Sequence, residues 1–329
     1  MGRIAPENCL DRPTRWSGRP IESARLVLRA PRPGDADALV ELLADPEVAR
    51  HTARIPRPYT RAEADKFVAA CEAERAAGDG VALAIIERAS GALLGCIGAR
   101  LAPGNAELGY WLGREHWCKG YATEAARRLL RLVFEECGVG LVWSGATPDN
   151  PASRRVLEKA GLVFARRERP RNPGANDEPE LDILTIDRER WQALRAARPR
   201  IMAVAVALID ADGRVLLTQR PAGKSMEGLW EFPGGKLEAG ESPEAALVRE
   251  LGEELGIDVS ESCLAPVAFV SHDYDTFHLM MPLYACRQWR GAVESREGQK
   301  LAWVRPARME AYPVPPADLP LVASLRDLL

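Results

Sequence analysis

The run IMAVAVALID at 201–210 is apolar at nearly every position, the pattern of a strand buried on both faces. A second strand is expected at 213–219, followed by a long polar loop and then helical spacing around 242–255. In that helix Ala245, Leu247, Val248, Leu251 and Leu255 are expected on the buried side. Strands are expected near 265–272, 277–288 and 301–304, and the segment 316–329 reads as a helix. The first half has a different rhythm. A strand at 24–30 leads into a helix at 34–45 with an acidic start, and 61–78 places Ala64, Phe67, Val68 and Cys71 on one helical face. Strands at 81–88, 92–101 and 106–112 precede a glycine-containing turn and an amphipathic helix within 116–136. Its buried stripe is Ala122, Ala125, Leu129 and Val133. A strand at 140–146, another helix, and strands at 162–168 and 181–187 complete an α+β order around a mixed sheet.

The two rhythms predict two domains. Residues 1–20 read as an irregular tail, 21–188 as the first domain, the charged stretch 189–200 as a linker, and 201–329 as the second domain. The Pro-, Asn- and Gly-rich loop at 169–179 is kept inside the first domain because a strand follows it. The halves show no internal repeat.

Composition narrows the picture only modestly. The 329 residues are 47% hydrophobic and 28% charged, an ordinary globular balance. A net charge of −3 gives no general pull toward a nucleic acid polymer or an anionic membrane. Seven scattered cysteines with no C-x-x-C pair, and only four histidines, argue against a zinc site and for buried thiols in a reducing cytoplasm. The first twenty residues lack the apolar run of a signal peptide, and no membrane span is expected. The expected location is cytoplasmic.

The chemistry concentrates in Gly235–Ile257, GKLEAGESPEAALVRELGEELGI. Ser242 suits a helix N-cap, Pro243 the first helical position and Gly256 the end. Glu250, Glu253 and Glu254 are spaced i, i+3, i+4, so their carboxylates share one face and repel one another. A hard divalent cation relieves that repulsion through oxygen coordination and in turn bridges phosphate oxygens. Gly234 and Gly235 let the backbone approach closely, and Arg249 can orient Glu250. A solvated acidic helix face is the commoner origin of such a pattern, but it does not explain the glycine pair, the arginine and Glu241 together.

The same 23 residues resemble the Nudix signature at every fixed position. That resemblance implies an α/β/α sandwich and a Mg²⁺ (or Mn²⁺) site holding Gly235, Glu250, Glu253, Glu254 and Glu297. Glu250 and Glu253 are then catalytic, with Glu250 a ligand or general base. The flank LLTQRPAGKSMEGLWEFPGGKLEAGE is similar to the MutT branch, whose members hydrolyse oxidised guanine nucleoside triphosphates to the monophosphate and pyrophosphate. On that likeness Arg220 and Phe232 contact substrate, and REGQKLAWV supplies Glu297. Asp318 stands where the MutT pattern has a base-reading asparagine; unless protonated it accepts but does not donate, or it serves as a helix N-cap. Phe277 stands where an arginine is common, and either packs in the core or stacks.

In the first half, HWCKGYATEAARRLLRLVFEE sets a turn against a helix N-terminus, a ready pyrophosphate site. With LGYWL upstream and ATPDNPASRRVLEKAGL downstream, this resembles the GNAT N-acetyltransferases of the RimJ/RimL branch over about 22–187. The resemblance implies acetyl-CoA held by the amides of Cys118, Lys119, Gly120, Tyr121, Ala122 and Thr123, with Asn150 and Ser153 on the cofactor side. Glu107 is the candidate base, or an ordinary strand carboxylate. The acceptor would be an amine, such as a protein N-terminus. Leu157 stands where many relatives have a tyrosine acting as general acid. Two readings therefore stand: a nucleoside triphosphate pyrophosphohydrolase fused to an acetyltransferase, or a hydrolase whose first domain binds acyl-CoA as a sensor or scaffold. Cleavage of CoA itself ranks behind both, because the segment before Phe232 lacks a CoA-specific extension.

Overall fold

The computed structural model describes residues 16–50, 52, 55–169, 180–221, 223 and 226–329. The chain divides into two compact units, Met1–Ala197 and Arg198–Leu329. Most of the expected tail and nearly all of the loop at 169–179 lie outside the described residues. Trp16, inside the expected tail, is buried in the main core of the first unit.

The first unit is built on one sheet. Among the described residues its strands are β1 (Ile21–Glu22), β2 (Leu26–Arg29), β3 (Gly80–Glu87), β4 (Leu93–Ala102), β5 (Asn105–Leu112), β6 (Leu141–Ala146), β7 (Val163–Glu168) and β8 (Leu181–Asp187). They lie in the order β1-β2-β3-β4-β5-β6-β8-β7. Neighbours are antiparallel except β5 and β6, which run parallel. The helices are α1 (Ala36–Leu43), α2 (Pro46–Arg50), α3 (Arg61–Ala77), α4 (Tyr121–Glu135), α5 (Pro151–Ala160) and α6 (Arg188–Ala196). Side-chain alternation along β4 sends Ile97 into the core shared with α4 and α5, and Cys96 into the smaller core shared with α1 and α3.

The expected linker is mostly helix. The Asp187 carboxylate caps α6 by accepting the Arg190 N–H at 2.7 Å, and Trp191 stacks on Phe134 with centroids 5.0 Å apart. One large aromatic side chain docks a helix that is otherwise polar, which is why its sequence looks solvated.

The second unit is a sandwich. Its strands are β9 (Arg200–Leu208), β10 (Val215–Gln219), β11 (Trp230–Glu231), β12 (Gly234–Lys236), β13 (Ala265–Asp273), β14 (His278–Cys286) and β15 (Lys300–Val304), with helices α7 (Pro243–Leu255) and α8 (Leu319–Leu328). Two sheets form, β12-β9-β14-β13 and β11-β10-β15. Along β9, Val204, Val206 and Leu208 pack with α7, while Ala205 and Ala207 pack with α8. Both faces are covered, hence the unbroken apolar run. In α7 the buried residues are Ala246, Leu247, Leu251 and Leu255, so Ala246 rather than Ala245 completes the stripe. Among the described residues no helix is long and apolar enough to cross a membrane.

Candidate active sites

The glutamate helix begins as its caps dictate. The Ser242 hydroxyl accepts the Ala245 N–H at 3.1 Å, Pro243 opens the first turn, and Gly256 ends it with φ 69°. Arg249 organises the polar face. It donates to Glu241 at 3.0 and 3.1 Å, to Glu250 at 2.9 Å, to Glu253 at 3.4 Å and to the Lys236 carbonyl at 3.2 Å. These bonds, with Glu241 first, raise the Arg249 pKa, and the same guanidinium holds Glu241 below its ordinary value. Gly235, on β12, faces Glu250 so closely that a Cβ there would collide with the carboxylate. The Gly235 backbone therefore meets Glu250 with no side chain between them. Glu253 is exposed, whereas Glu250 and Glu254 are partly covered. Among the described residues no three acidic, His or Cys side chains already converge on one point. The donors are all oxygen, the set a hard divalent cation prefers, and Glu253 is exposed, with one long bond to Arg249 at 3.4 Å.

Glu297 lies on the loop before β15, which docks on the C-terminal turn of α7. The Arg296 N–H donates to the Glu254 carbonyl at 2.9 Å, and the Glu294 N–H to the Leu255 carbonyl at 3.0 Å. Those carbonyls have no partner within the helix.

Arg220, Phe232 and Asp318 come together beside the core that α8 covers. Arg220 pairs with Glu231. Asp318 is only 4% exposed and accepts the Phe232 backbone N–H. It occupies the N-cap position of α8, but its side chain makes no capping bond. Burial, together with the nearby negative Glu231, pushes the Asp318 pKa up to about 8. The carboxyl is therefore a neutral donor over much of the physiological range. The Tyr274 hydroxyl accepts the neighbouring Ala317 N–H at 3.4 Å, and Phe277 packs tilted against Tyr274 with centroids 4.7 Å apart. Phe277 is only partly buried, so it belongs to this aromatic wall rather than to the core.

In the first unit β5 and β6 are paired only over Asn105–Glu107 and Leu141–Trp143, and then part. At the point of divergence the Ser144 hydroxyl donates to the Leu108 carbonyl at 2.8 Å. Glu107 is the last paired residue of β5, on the face opposite the buried Ala106 and Leu108. The turn before α4 is left-handed at Cys118 (φ 59°) and Gly120 (φ 81°). Arg25 pins it by donating to the Lys119 carbonyl and to Glu124, each at 2.8 Å, while covering the Tyr121 ring. Lys119 is exposed beside the N–H groups of Tyr121, Ala122 and Thr123, which open the helix ahead of its first internal bond. Asn150 caps α5 by accepting the Ser153 N–H at 3.0 Å, and the Tyr110 hydroxyl donates to Ser153 Oγ at 3.0 Å. Burial pushes the Tyr110 pKa up to about 12. Leu157 is fully buried, directed into the core. Arg166 and Arg167 of β7 are paired with Glu168 and Asp182.

Sequence reasoning missed Arg25, Tyr110, Glu231, Tyr274 and Gln299. Glu231 adjoins Phe232 in the quoted flank, and Gln299 sits in the quoted REGQ run, so both were within reach. Tyr110 likewise sits in the quoted LGYWL run, whereas Arg25 and Tyr274 are brought in only by strand pairing or docking.

A family model described as a NUDIX domain matches residues 204–324, and one described as an acetyltransferase (GNAT) domain matches 25–163. The CTP pyrophosphohydrolase of Escherichia coli (strain K12) is 39% identical over 131 residues, covering 39% of this chain and 94% of that protein. The chain belongs to the Nudix family and carries a GNAT domain. The Nudix unit is also similar to the 8-oxo-dGTP diphosphatase of Proteus vulgaris, 38% identical over 101 residues, 31% of this chain and 88% of that protein. The GNAT unit is similar to the uncharacterized N-acetyltransferase p20 of Bacillus licheniformis, 29% identical over 151 residues, 44% of this chain and 84% of that protein.

Proposed function

We propose that the Nudix unit is a Mg²⁺-dependent (or Mn²⁺-dependent) pyrophosphohydrolase that converts a nucleoside triphosphate, 8-oxo-dGTP or a related (d)NTP, to the monophosphate and pyrophosphate. The observation that carries this reading is the Glu250 carboxylate, held by Arg249 against the bare backbone of Gly235. Glu250, Glu253, Glu254, Glu297 and the Gly235 carbonyl would hold the cation. When bound, the cation supplies positive charge for the phosphate oxygens and acidifies an attacking water. Glu253 or Glu250 takes the water's proton, and Arg249 keeps Glu250 oriented while Glu253 moves. Arg220 and the face of Phe232 position the nucleotide. The neutral Asp318 carboxyl offers one donor and one acceptor to the base edge, which restores the pairing capacity of the asparagine found in MutT-like sequences.

A Mg²⁺-dependent panel of 8-oxo-dGTP, dGTP, CTP, diadenosine polyphosphates, ADP-ribose and CoA tests this reading. Turnover of one or more triphosphates with release of pyrophosphate is expected, and Glu253→Gln should remove it. Diadenosine polyphosphates as the sole good substrate, or full activity in Glu253→Gln, would overturn it.

For the GNAT unit the proposal is acetyl transfer from acetyl-CoA to an amine. The cofactor's pyrophosphate fits the amides of residues 118–123, and its amide-bearing arm fits the unpaired edges of β5 and β6. Asn150 and Ser153 lie on the cofactor side, and Glu107 at the fork is the candidate base. The buried Leu157 favours a second reading, acyl-CoA binding without transfer. Incubation with radiolabelled acetyl-CoA and peptide or small-amine acceptors separates the two, since only the first labels an acceptor.

A further inference from the structure

We infer that Gln299 is a positioning residue for hydrolysis, locking the Glu297 loop onto the end of the glutamate helix through both halves of its amide. The inference rests on the reading of Glu297 as a cation-side carboxylate. Gln299 is buried, immediately before β15, where Lys300 is already paired with Gln219. Its Nε2 donates to the Glu254 carbonyl at 3.2 Å. Its Oε1 accepts the Glu297 N–H at 3.0 Å and the Ser295 hydroxyl at 3.0 Å.

Glu254 and Glu297 thus share one amide as an intermediary. The Glu254 carbonyl, orphaned at the helix end, takes a second bond from the Arg296 N–H at 2.9 Å. Arg296 also donates to the Gly252 carbonyl at 3.3 Å and lies where a Cβ on Gly256 would sit. Gly256 is favoured by its left-handed φ, and the Arg296 guanidinium lies over it. The Gln299 amide carries both a donor and an acceptor, so one side chain serves the Glu254 carbonyl and the Glu297 N–H together. Glutamate at 299 would set a carboxylate against the Glu254 carbonyl, and leucine would satisfy neither group.

The test uses the full chain and Mn²⁺ alone, titrated by electron paramagnetic resonance without nucleotide, alongside the Mg²⁺ concentration for half-maximal turnover. Gln299→Leu and Gln299→Glu should each weaken Mn²⁺ binding by about tenfold, the scale of outer-shell support of a metal site. The KM for nucleotide at saturating Mg²⁺ should stay near that of the unaltered chain. Combined with Glu297→Gln, the Gln299 substitutions should add little, because both act through one carboxylate. Wild-type Mn²⁺ affinity in both Gln299 variants, even with a lower unfolding temperature, would make Gln299 merely structural and overturn the inference. If Glu297→Gln also bound Mn²⁺ like the parent, the reading of Glu297 would fall as well.

Discussion

The two candidate sites are assembled in opposite ways. The hydrolase site is nearly contiguous: one helix and the short strand before it supply Gly235, Arg249 and three glutamates. The site in the GNAT unit is distributed, with β2-side Arg25, the fork between β5 and β6, the α4 turn and the α5 cap each contributing a part. A contiguous site owes the shared face of its carboxylates to helical spacing, and packing adds only the close approach of β12 and of the loop before β15. A distributed site exists only while the sheet holds its strands apart.

That contrast can be broken or sharpened by substitution. Glu253→Gln should cost the largest effect, about 10²–10⁴-fold in turnover, with acetyl-CoA binding unchanged; steady-state kinetics and calorimetry on the same sample check both halves. Gly235→Ala should follow, because its Cβ displaces the Glu250 carboxylate. A loss of about 10²-fold in kcat is expected, and parental kcat would show that the close approach is dispensable.

Asn150→Ala removes the α5 cap, so the GNAT unit should lose about 1 kcal/mol of stability while acetyl-CoA binding weakens. Thermal unfolding with and without acetyl-CoA separates the two consequences. Asp318→Asn concerns pH. The folded Asp318 keeps its proton up to about pH 8, whereas the unfolded chain releases it near 3.8. Its contribution to stability is therefore present at low pH, declines as pH rises from about 4 to about 8, and is flat above. Urea unfolding across that window should show stability falling less steeply with pH in Asp318→Asn; an unchanged pH dependence would show that Asp318 titrates in the folded protein as it does in the unfolded chain. The smallest effect is expected from Cys118→Gly. Relief of the left-handed strain should stabilise the GNAT unit by up to about 1 kcal/mol, measured by its unfolding midpoint.

The same contrast explains what was legible beforehand. Caps at Ser242 and Gly256, the apolar stripe of α7 and the buried alternation of β9 are local patterns, and they appear as expected with Ala246 in place of Ala245. The expected linker at 189–200 is mostly helix, docked by Trp191 on Phe134 and by Arg190 on the Gly161 carbonyl, contacts that composition does not reveal. Glu107 was legible as a strand residue, but its place at the fork follows from where β5 and β6 stop pairing.

By itself the amino-acid order determined the Nudix box, because three carboxylates at i, i+3 and i+4 share a face in any α-helix. It also determined the turn ahead of α4, through a glycine and a helix start. Tertiary structure alone decided the protonation of Asp318, since burial beside Glu231 and Phe232 removes water from a carboxyl that looks ordinary in the chain. It likewise decided that one buried amide, Gln299, ties the Glu297 loop to the Glu254 carbonyl. Helical periodicity is written in the order of residues; desolvation and hydrogen bonding across elements exist only once those elements pack.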